Sequence, residues 1–272
     1  MNYKLIAFDI DGTIRSMEDP ISEKTSLVIN ALVSHGIIVT IATGRMFLSA
    51  ALALKGLNII HPIISYQGAH IADISTGKVL WHMRLTKEMA DYTLDLLKNW
   101  PVQPVFYHDG QIYVDCLTDW AKSYAERNPG GLNVVGNLGD ITHLSPTRIV
   151  AVGNEKIIAN LASEITPISE SQLHVTRSLP YFCEILNPLA GKHKALEWLA
   201  NYYGVLREQT IAFGNGYNDV DMLKWAGMGV AVEGSVDEII EVSDTIALSM
   251  EENGPAVILE KLIGGGFFGK IN

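Results

Sequence analysis

The stretch Leu5-Ile6-Ala7-Phe8-Asp9-Ile10-Asp11-Gly12-Thr13 decides the fold, because an apolar run ends abruptly in two carboxylates and a glycine. A short, continuous apolar run is typical of a strand that is buried on both faces, as in a parallel sheet. Residues two apart in an extended segment project to the same side, so we expect Asp9 and Asp11 to lie together at the strand end. Two carboxylates this close repel each other unless a cation or a shared proton lies between them, and oxygen-rich surroundings suit Mg²⁺. Gly12 permits a tight turn that exposes backbone N–H groups to an anion.

The elements that follow this strand alternate between helix and strand. A helix that begins after Ser22 and ends at Gly36 leads to a second strand at 37–41, and a second helix leads to a third strand at 62–65. The same rhythm returns after Pro188, with a helix at 193–203, a strand at 210–213 and shorter elements up to 262. This alternation predicts an α/β fold, a Rossmann-like doubly wound parallel sheet.

The region between these two parts follows a different pattern. Two strand-like runs flank Asp109-Gly110, which is the strongest short signal for an antiparallel hairpin. Helices are predicted at 86–100, 118–127 and 155–164, and further strands at 148–152, 173–176 and 181–186. We therefore expect an inserted α+β domain at 84–187, with residues 1–83 and 188–272 forming one core domain.

Composition narrows the class of protein. The chain has 272 residues, of which 48% are hydrophobic and 18% charged, and this composition excludes a disordered chain. The formal net charge of −10 argues against a nucleic-acid partner. Cys116 and Cys183 form no disulfide framework, no apolar stretch approaches the roughly 20 residues that span a membrane, and no signal-peptide core is evident. These features predict a cytoplasmic protein with no membrane partner.

Three further positions carry polar residues that suit a phosphate ligand. They are Thr43 and Gly44 after the second strand, Asn215, Asn218 and Asp219 after the strand at 210–213, and Lys192 at the start of the preceding helix. A hydroxyl and an unobstructed N–H donate to phosphate oxygens, a lysine supplies a point charge, and amide and carboxylate oxygens bind a metal. Together with Asp9 and Asp11 they predict phosphoryl chemistry, in which a carboxylate can act as nucleophile.

The chain resembles the haloacid dehalogenase superfamily of phosphatases, and more narrowly the Cof-type sugar-phosphate phosphatases of subfamily IIB with a C2-type cap. The matching residues are Phe8-Asp9-Ile10-Asp11-Gly12-Thr13, Ala42-Thr43-Gly44-Arg45, Lys192, and Gly214-Asn215-Gly216-Tyr217-Asn218-Asp219 with Met222. Gln67-Gly68-Ala69 stands where the family usually has Asn-Gly-Ala. The resemblance covers essentially the whole chain and identifies the inserted domain as the cap.

The resemblance implies a role for each site residue. Asp9 attacks the phosphorus and becomes an aspartyl-phosphate, while Asp11 protonates the leaving oxygen and then activates water. Thr43 and Lys192 hold the phosphoryl oxygens, with Gly12, Gly44 and Asn218 as further phosphate-binding groups. Mg²⁺ is held by Asp9, by the backbone carbonyl of Asp11 and by the last motif, Asn215 and Asp219. The substrate implied is a small phosphorylated metabolite, such as a sugar phosphate.

Two departures from the family pattern leave alternatives open. The family usually has Asp at the position of Asn215, so metal binding is expected to be weaker or to depend more on Asp219. This favours, as an alternative, a catalytically weakened phosphate-ester binding or sensor protein. Gln67 replaces the usual Asn and shifts its amide by one methylene.

Lys194 competes with Lys192 as the phosphate lysine, and Arg45 could be purely structural. The identity of the substrate and the oligomeric state stay open.

Overall fold

The computed structural model describes residues 2–16, 19–127, 130–169 and 171–269. The first part of the chain contains β1 (Leu5–Phe8), α1 (Glu23–Ser34), β2 (Ile38–Ile41), α2 (Phe47–Ala53), β3 (Ile63–Ser65), β4 (His70–Ala72) and β5 (Val79–His82). The middle part contains α3 (Lys87–Leu97), β6 (Gln103–His108), β7 (Gln111–Val114), α4 (Asp119–Arg127), β8 (Leu132–Val134), β9 (Arg148–Val152), α5 (Glu155–Ser169), β10 (His174–Thr176) and β11 (Phe182–Leu186). The last part contains α6 (Lys192–Tyr202), β12 (Thr210–Gly214), α7 (Val220–Trp225), β13 (Met228–Val232), α8 (Asp237–Val242), β14 (Thr245–Ala247) and α9 (Gly254–Gly264).

The central sheet has five parallel strands in the order β14-β13-β12-β1-β2. Alternate residues of β1 enter different hydrophobic clusters, Ile6 and Phe8 on one face and Leu5 and Ala7 on the other. Helices α1 and α9 contribute to the first cluster, and α6 and α7 to the second. Both faces of the sheet are therefore covered by helices, which is why its strands are continuous apolar runs. The predicted doubly wound α/β fold is confirmed.

Strand β1 lies at the point where the strand order reverses. The chain goes from β1 to β2 on one side of it, whereas β12, β13 and β14 lie on the other side. In open α/β sheets the crevice outside the carboxyl ends of the strands at such a point is where ligands bind. The residues that follow β1, β2 and β12 are the ones on which the sequence-based site depends.

The middle of the chain forms a six-stranded sheet in the order β10-β11-β9-β6-β7-β8, antiparallel except for the parallel pair β7 and β8. The predicted hairpin joins β6 to β7, and both turn residues, Asp109 and Gly110, have positive φ (47° and 75°), as a type I′ turn requires. One face of the sheet packs against α3 and α5, and the other buries Val105 and Tyr107 with Met46 and Tyr66 from the first part of the chain. The six-stranded sheet thus packs directly onto the loops that follow β2 and β3.

All six of these strands come from within the predicted insertion, residues 84–187. The boundaries of the two core segments, 1–83 and 188–272, stay a prediction, and Met1 and residues 270–272 lie outside the described part of the chain.

The structure also departs from the sequence-based elements. Strands β4 and β5, which form an antiparallel sheet with β3, and strand β8 were not predicted. Three or four residues are too short to show a period, and equally short strands such as β3 were recognised only as apolar runs. Helix α5 continues to Ser169 rather than ending near 164, although it contains Pro167. A proline in the last turn removes a single intrahelical bond, and burial of Ile165 favours continuing the helix.

None of the helices within the described ranges is long and apolar enough to cross a membrane.

Two histidines lie opposite each other where β4 pairs with β5. His70 and His82 are paired in register, with ring centroids 5.0 Å apart. His70 Nδ1 lies 3.0 Å from Ser65 Oγ, and His82 Nε2 lies 2.9 Å from Thr147 Oγ1. Burial lowers the pKa of each imidazole to about 4, and the nearby positive charge of Arg84 adds to the effect. Both rings are therefore neutral in the folded protein at neutral pH.

These histidines make the protein sensitive to acid. The unfolded chain binds protons near pH 6.5 but the folded protein does so only near pH 4, so the free energy of unfolding falls as the pH drops through this window. For His70 alone we expect a loss of roughly 2 kcal/mol between pH 6.5 and pH 5. The His70→Asn variant, in which the amide replaces the ring donor, should show a shallower fall in urea unfolding experiments across this range.

His143→Asn is the matched control, because His143 is exposed and its replacement should leave the slope unchanged. A slope equally steep in His70→Asn and in the wild type would contradict the assignment.

Candidate active site

The carboxyl ends of β1 and β12 bring two predicted site carboxylates to one lysine. Lys192, the first residue of α6, places its Nζ 2.7 Å from Asp9 Oδ1 and 2.6 Å from Asp219 Oδ1. All three side chains are buried, with 2% of Lys192, 6% of Asp9 and 1% of Asp219 exposed. Asp9 is 183 residues and Asp219 is 27 residues away from Lys192 in the chain, yet the three side chains form one ion-pair network.

The neighbouring lysine is not part of this network. Lys194 Nζ donates to the carbonyl of Pro188 at 2.6 Å. Lys192 and Lys194 are two apart on a helix, where residues at that spacing do not share a face. The structure therefore favours the register in which Lys192 is the site lysine.

The electrostatics of this cluster leave negative charge in excess. The pKa of the Asp9 carboxyl is raised to about 7. Burial is the main cause, Asp219 and Asp11 add to it, and Lys192 opposes it. Burial also works against the charge of Lys192, but Asp219 and Asp9 more than offset it and hold the pKa of the ammonium above its usual range. A single buried ammonium does not fully compensate the carboxylates, so the cluster is suited to a further cation.

Asp11 is held by a residue for which sequence reasoning found no clear role. Arg45 Nε and Nη2 donate to the two carboxylate oxygens of Asp11 at 2.7 and 2.6 Å, a bidentate pair. These hydrogen bonds raise the pKa of the Arg45 guanidinium, against the effect of its burial. Each oxygen of Asp11 thus accepts one hydrogen bond from Arg45 and keeps a further lone pair, so Arg45 orients the carboxylate. The contact places Arg45, which the sequence had left as possibly structural, beside the first motif.

The turn after Asp11 brings the first motif against the last one. Gly12 has φ of +82°, which favours glycine, and a Cβ there would collide with the Asn215 side chain. The Gly12 N–H donates to the carbonyl of Arg15 at 2.8 Å, so it would have to change partner to bind phosphate. Thr13 Oγ1 donates to Asn215 Oδ1 at 3.1 Å. Asn215 therefore lies beside the first motif, as predicted, with its amide oxygen already accepting one hydrogen bond.

Asp219 holds the loop that carries Asn215. Its Oδ2 accepts hydrogen bonds from the backbone N–H groups of Asn215 and Gly216, both at 3.1 Å, while its Oδ1 accepts from Lys192. Both oxygens are thus occupied by donors from the chain itself. Its role as a metal ligand stays a prediction, and the observed contacts make it an anchor for Lys192 and for the Asn215 loop.

Thr43 and Gly44 lie at the end of β2, beside this network. The Thr43 backbone N–H donates to Ile64, and Thr43 Oγ1 accepts from the Arg45 N–H at 3.2 Å. This leaves the Thr43 hydroxyl proton able to donate. The Gly44 N–H has no hydrogen-bond acceptor within the described residues, as a phosphate-binding group requires.

Asn218 is joined through Gln67, one of the two departures from the family pattern, to residues that the sequence analysis did not select. Its Nδ2 donates to Gln67 Oε1 at 2.9 Å, and Gln67 Nε2 donates to Glu184 Oε1 at 2.6 Å. Glu184 also accepts from Arg148, whose Nη1 donates to the Gly44 carbonyl at 2.6 Å. A charged residue within the apolar run of β11, or at the start of β9, is the signal that could have identified Glu184 and Arg148.

The donor set fits a hard divalent cation in part. Asp9 and Asn215 present oxygens at one edge of the sheet, next to the uncompensated negative charge. In the part of the chain that the structure describes, no group of three or more His, Cys, Asp or Glu residues is assembled to hold a metal. All three carboxylates already have a cationic partner, Asp11 in Arg45 and both Asp9 and Asp219 in Lys192. A metal there would depend on amide and carbonyl oxygens beside Asp9, ligands that Mg²⁺ accepts.

Replacing Lys192 tests the central network. Lys192→Met leaves the buried carboxylates of Asp9 and Asp219 without their shared cation, and breaking a buried pair in this way costs about 3–5 kcal/mol. We expect the free energy of unfolding, measured with urea at neutral pH, to fall by about that much.

The control is Lys194→Met, on the same helix, which loses only a bond to a backbone carbonyl and should change stability by less than about 1 kcal/mol. An equal loss of stability in both variants would show that Lys192 does not hold the site together.

Comparison with known proteins agrees with this geometry. A family model described as haloacid dehalogenase-like hydrolase matches residues 6–259. A 5-amino-6-(5-phospho-D-ribitylamino)uracil phosphatase from Bacillus subtilis is 30% identical, covering 97% of this chain and 99% of that protein. The crystal structure of a haloacid dehalogenase-like hydrolase from Bacteroides thetaiotaomicron has a TM-score of 0.81 at 26% identity, covering 96% of this chain and 100% of that one.

A sugar phosphatase described as subclass IIB shares the fold, with a TM-score of 0.80 at 22% identity and coverage of 97% and 99%. The resemblance drawn from the sequence motifs is confirmed. The match extends from β1 through the six-stranded sheet to α9, and the chain belongs to the haloacid dehalogenase-like hydrolases.

Proposed function

We propose that this protein is a Mg²⁺-dependent phosphatase that hydrolyses a small phosphorylated metabolite through an aspartyl-phosphate on Asp9. The observation that carries the proposal is the Lys192 ammonium between Asp9 and Asp219, beside the free Gly44 N–H and the Thr43 hydroxyl. A carboxylate nucleophile, a buried cation and N–H and O–H donors at one sheet edge are the groups that phosphoryl transfer needs.

In the proposed reaction an Asp9 oxygen attacks phosphorus and the bond to the leaving oxygen breaks, while Asp11, which enters the reaction protonated, donates its proton to that oxygen. Asp11 then takes a proton from the water that hydrolyses the aspartyl-phosphate. Arg45 orients Asp11 for both events by donating one hydrogen bond to each of its oxygens. Lys192, Thr43, Gly44, Asn218 and, after a change of partner, Gly12 bind the phosphoryl oxygens.

The residues that would hold Mg²⁺ are Asp9, the backbone carbonyl of Asp11 and Asn215, with Asp219 supporting the Asn215 loop. Bound there, Mg²⁺ supplies positive charge that shields the phosphoryl oxygens from the attacking carboxylate. The rest of the charge comes from Lys192, which the two buried carboxylates keep protonated.

The substrate class is a phosphomonoester of a small polar metabolite. The Bacillus subtilis relative is named for a substrate that joins a phosphorylated ribityl chain to a uracil ring. That compound and simple sugar phosphates are therefore the first substrates to test. The net charge of −10 works against a nucleic-acid substrate, because a polyanion would be repelled.

The decisive experiment measures hydrolysis of p-nitrophenyl phosphate with Mg²⁺ and after chelation with EDTA. We expect turnover that requires the metal, and we expect Asp9→Asn to lower kcat by at least about 10³-fold because it removes the nucleophile. Mass spectrometry of acid-quenched enzyme should find a phosphoryl group on Asp9 during turnover.

Asp95→Asn provides the matched control, since Asp95 is exposed on α3 and the same substitution should leave turnover unchanged. Retained turnover in a purified Asp9→Asn protein would refute the nucleophile. Binding of phosphate esters without turnover, across metals and pH values, would instead support the sensor alternative that Asn215 leaves open.

Asn215 gives a separate prediction about the metal. Asn215→Asp keeps the oxygen that accepts from Thr13 and adds a negative charge beside Asp9. We expect the Kd for Mg²⁺, measured by calorimetry, to fall about tenfold, since one more anionic ligand is worth about 1–2 kcal/mol at a partly solvated site.

The exposed Asn201 offers the same substitution away from the site, and Asn201→Asp should leave the Mg²⁺ affinity unchanged. An unchanged or weaker affinity in Asn215→Asp would reject Asn215 as a ligand.

A further inference from the structure

A buried ion pair in the six-stranded sheet reaches into the candidate active site. Arg148 begins β9 and Glu184 lies in the middle of β11, the strand paired with β9. Only 3% of Arg148 and 1% of Glu184 is exposed. Removing two charges from water costs several kcal/mol per ion unless hydrogen bonds satisfy their remaining atoms. The partners of this pair therefore show what holds it in place.

Several of those partners come from the loops that follow β2 and β3. Arg148 donates to the Gly44 carbonyl at 2.6 Å, and its guanidinium lies 5.3 Å from the centre of the Tyr66 ring. Glu184 accepts from Gln67 at 2.6 Å as well as from Ser178 and Arg148. The pair thus depends on residues outside its own sheet. Separating the six-stranded sheet from the loops after β2 and β3 would remove one hydrogen bond from Arg148 and one from Glu184.

The loop that supplies Gln67 is held in a conformation that most residues avoid. Tyr66 and Gln67 have φ values of 49° and 55°, consecutive left-handed positions for residues other than glycine. Each such residue costs of the order of 1–3 kcal/mol, and this strain is retained only where the surroundings impose it. The result is a fully buried carboxamide that lies directly against Gly44, where a Cβ would come within 2.9 Å of Gln67 Cδ.

The orientation of this carboxamide follows from its neighbours. An ionised carboxylate only accepts hydrogen bonds, so the NH₂ group of Gln67 faces Glu184 and its oxygen faces Asn218 Nδ2 at 2.9 Å. The Gln67 side chain therefore links Glu184 to Asn218, so that the position of Glu184 determines where the Asn218 amide is held. An asparagine is one methylene shorter and could reach only one of these two partners.

We propose that Gln67 is a positioning residue that, held by Glu184, fixes Asn218 for binding the phosphoryl group and so couples phosphate binding to the seating of the six-stranded sheet. The proposal rests on the phosphatase function proposed above, because it takes Asn218 and Gly44 as phosphate-binding groups. The same ion pair reaches both of them, Asn218 through Gln67 and Gly44 through Arg148.

The test measures binding of inorganic phosphate by calorimetry and hydrolysis of p-nitrophenyl phosphate, in Gln67→Leu and Gln67→Asn. We expect the Kd for phosphate to rise about tenfold in both variants, as loss of one hydrogen bond to a fixed partner would give. We expect KM for the ester to rise by a similar factor while kcat changes less than about threefold.

A double-mutant cycle separates positioning from general damage. If Gln67 acts through Asn218, the Gln67→Leu/Asn218→Ala protein should bind phosphate no more weakly than Asn218→Ala alone. Independent, additive losses would overturn the proposal. Circular dichroism and thermal unfolding establish that each variant is folded, and Gln67→Asn, which retains a buried amide, carries the test if Gln67→Leu does not fold.

Gln103→Leu is the matched control. Gln103 lies on β6 and also joins two partners, the Cys116 carbonyl at 3.0 Å and Thr118 Oγ1 at 2.6 Å. Its replacement loses the same number of hydrogen bonds and should leave phosphate binding unchanged.

The outcomes distinguish this proposal from the proposed function. Phosphate binding by a wild-type protein that hydrolyses no ester would refute the phosphatase, yet the effect of Gln67 on phosphate affinity would still support the positioning role. Unchanged phosphate affinity in folded Gln67 variants would overturn that role even if hydrolysis is intact. A wild-type protein that binds no phosphate would overturn both.

Discussion

The buried ammonium of Lys192 between the carboxylates of Asp9 and Asp219 is the interaction on which the rest of the site depends. It joins the first strand of the central sheet to the loop after β12 through the start of α6, and none of the three charges has a favourable alternative in the interior. Because the parallel strands end at one edge, the network can form only when β1 and β12 are neighbours. The sheet order therefore comes first, and the chemistry follows from it.

Charge balance at this edge explains several features together. Burial, opposed by Lys192, raises the pKa of Asp9 to about 7, and the carboxylates of Asp9 and Asp219 share the single ammonium of Lys192. Arg45 neutralises Asp11 separately, through two hydrogen bonds that occupy both of its oxygens. Asn215 stands where the family pattern has a carboxylate, and so lowers the negative charge that a cation would meet. The motifs predicted metal and phosphate ligands, whereas in the structure Asp9, Asp11 and Asp219 each form an ion pair with Lys192 or Arg45.

The six-stranded sheet also supplies polar side chains that contact the loops of the candidate site. Its ion pair of Arg148 and Glu184 has hydrogen-bond partners on the loops that carry Gly44 and Gln67, in addition to Ser178. A polar network of this kind is costly when only partly satisfied, so the packing of the two sheets and the arrangement of the loops at Gly44 and Gln67 stabilise each other. This interdependence gives the strained loop at Gln67 a physical explanation, because its conformation is imposed from both sides.

The sequence by itself determined the parallel sheet, the hairpin at Asp109-Gly110, the inserted region and the set of polar residues at the strand ends, because apolar runs, turn residues and motif spacing are local properties. Three short strands, β4, β5 and β8, escaped it, since a run of three or four residues shows no period, whereas β1, β2 and β3 were recognised as apolar runs. Only the tertiary structure showed which charges pair: Lys192 rather than Lys194 with Asp9, Arg45 with Asp11, and Arg148 with Glu184. Partners so far apart in the chain are selected by strand order and burial, which no single motif encodes.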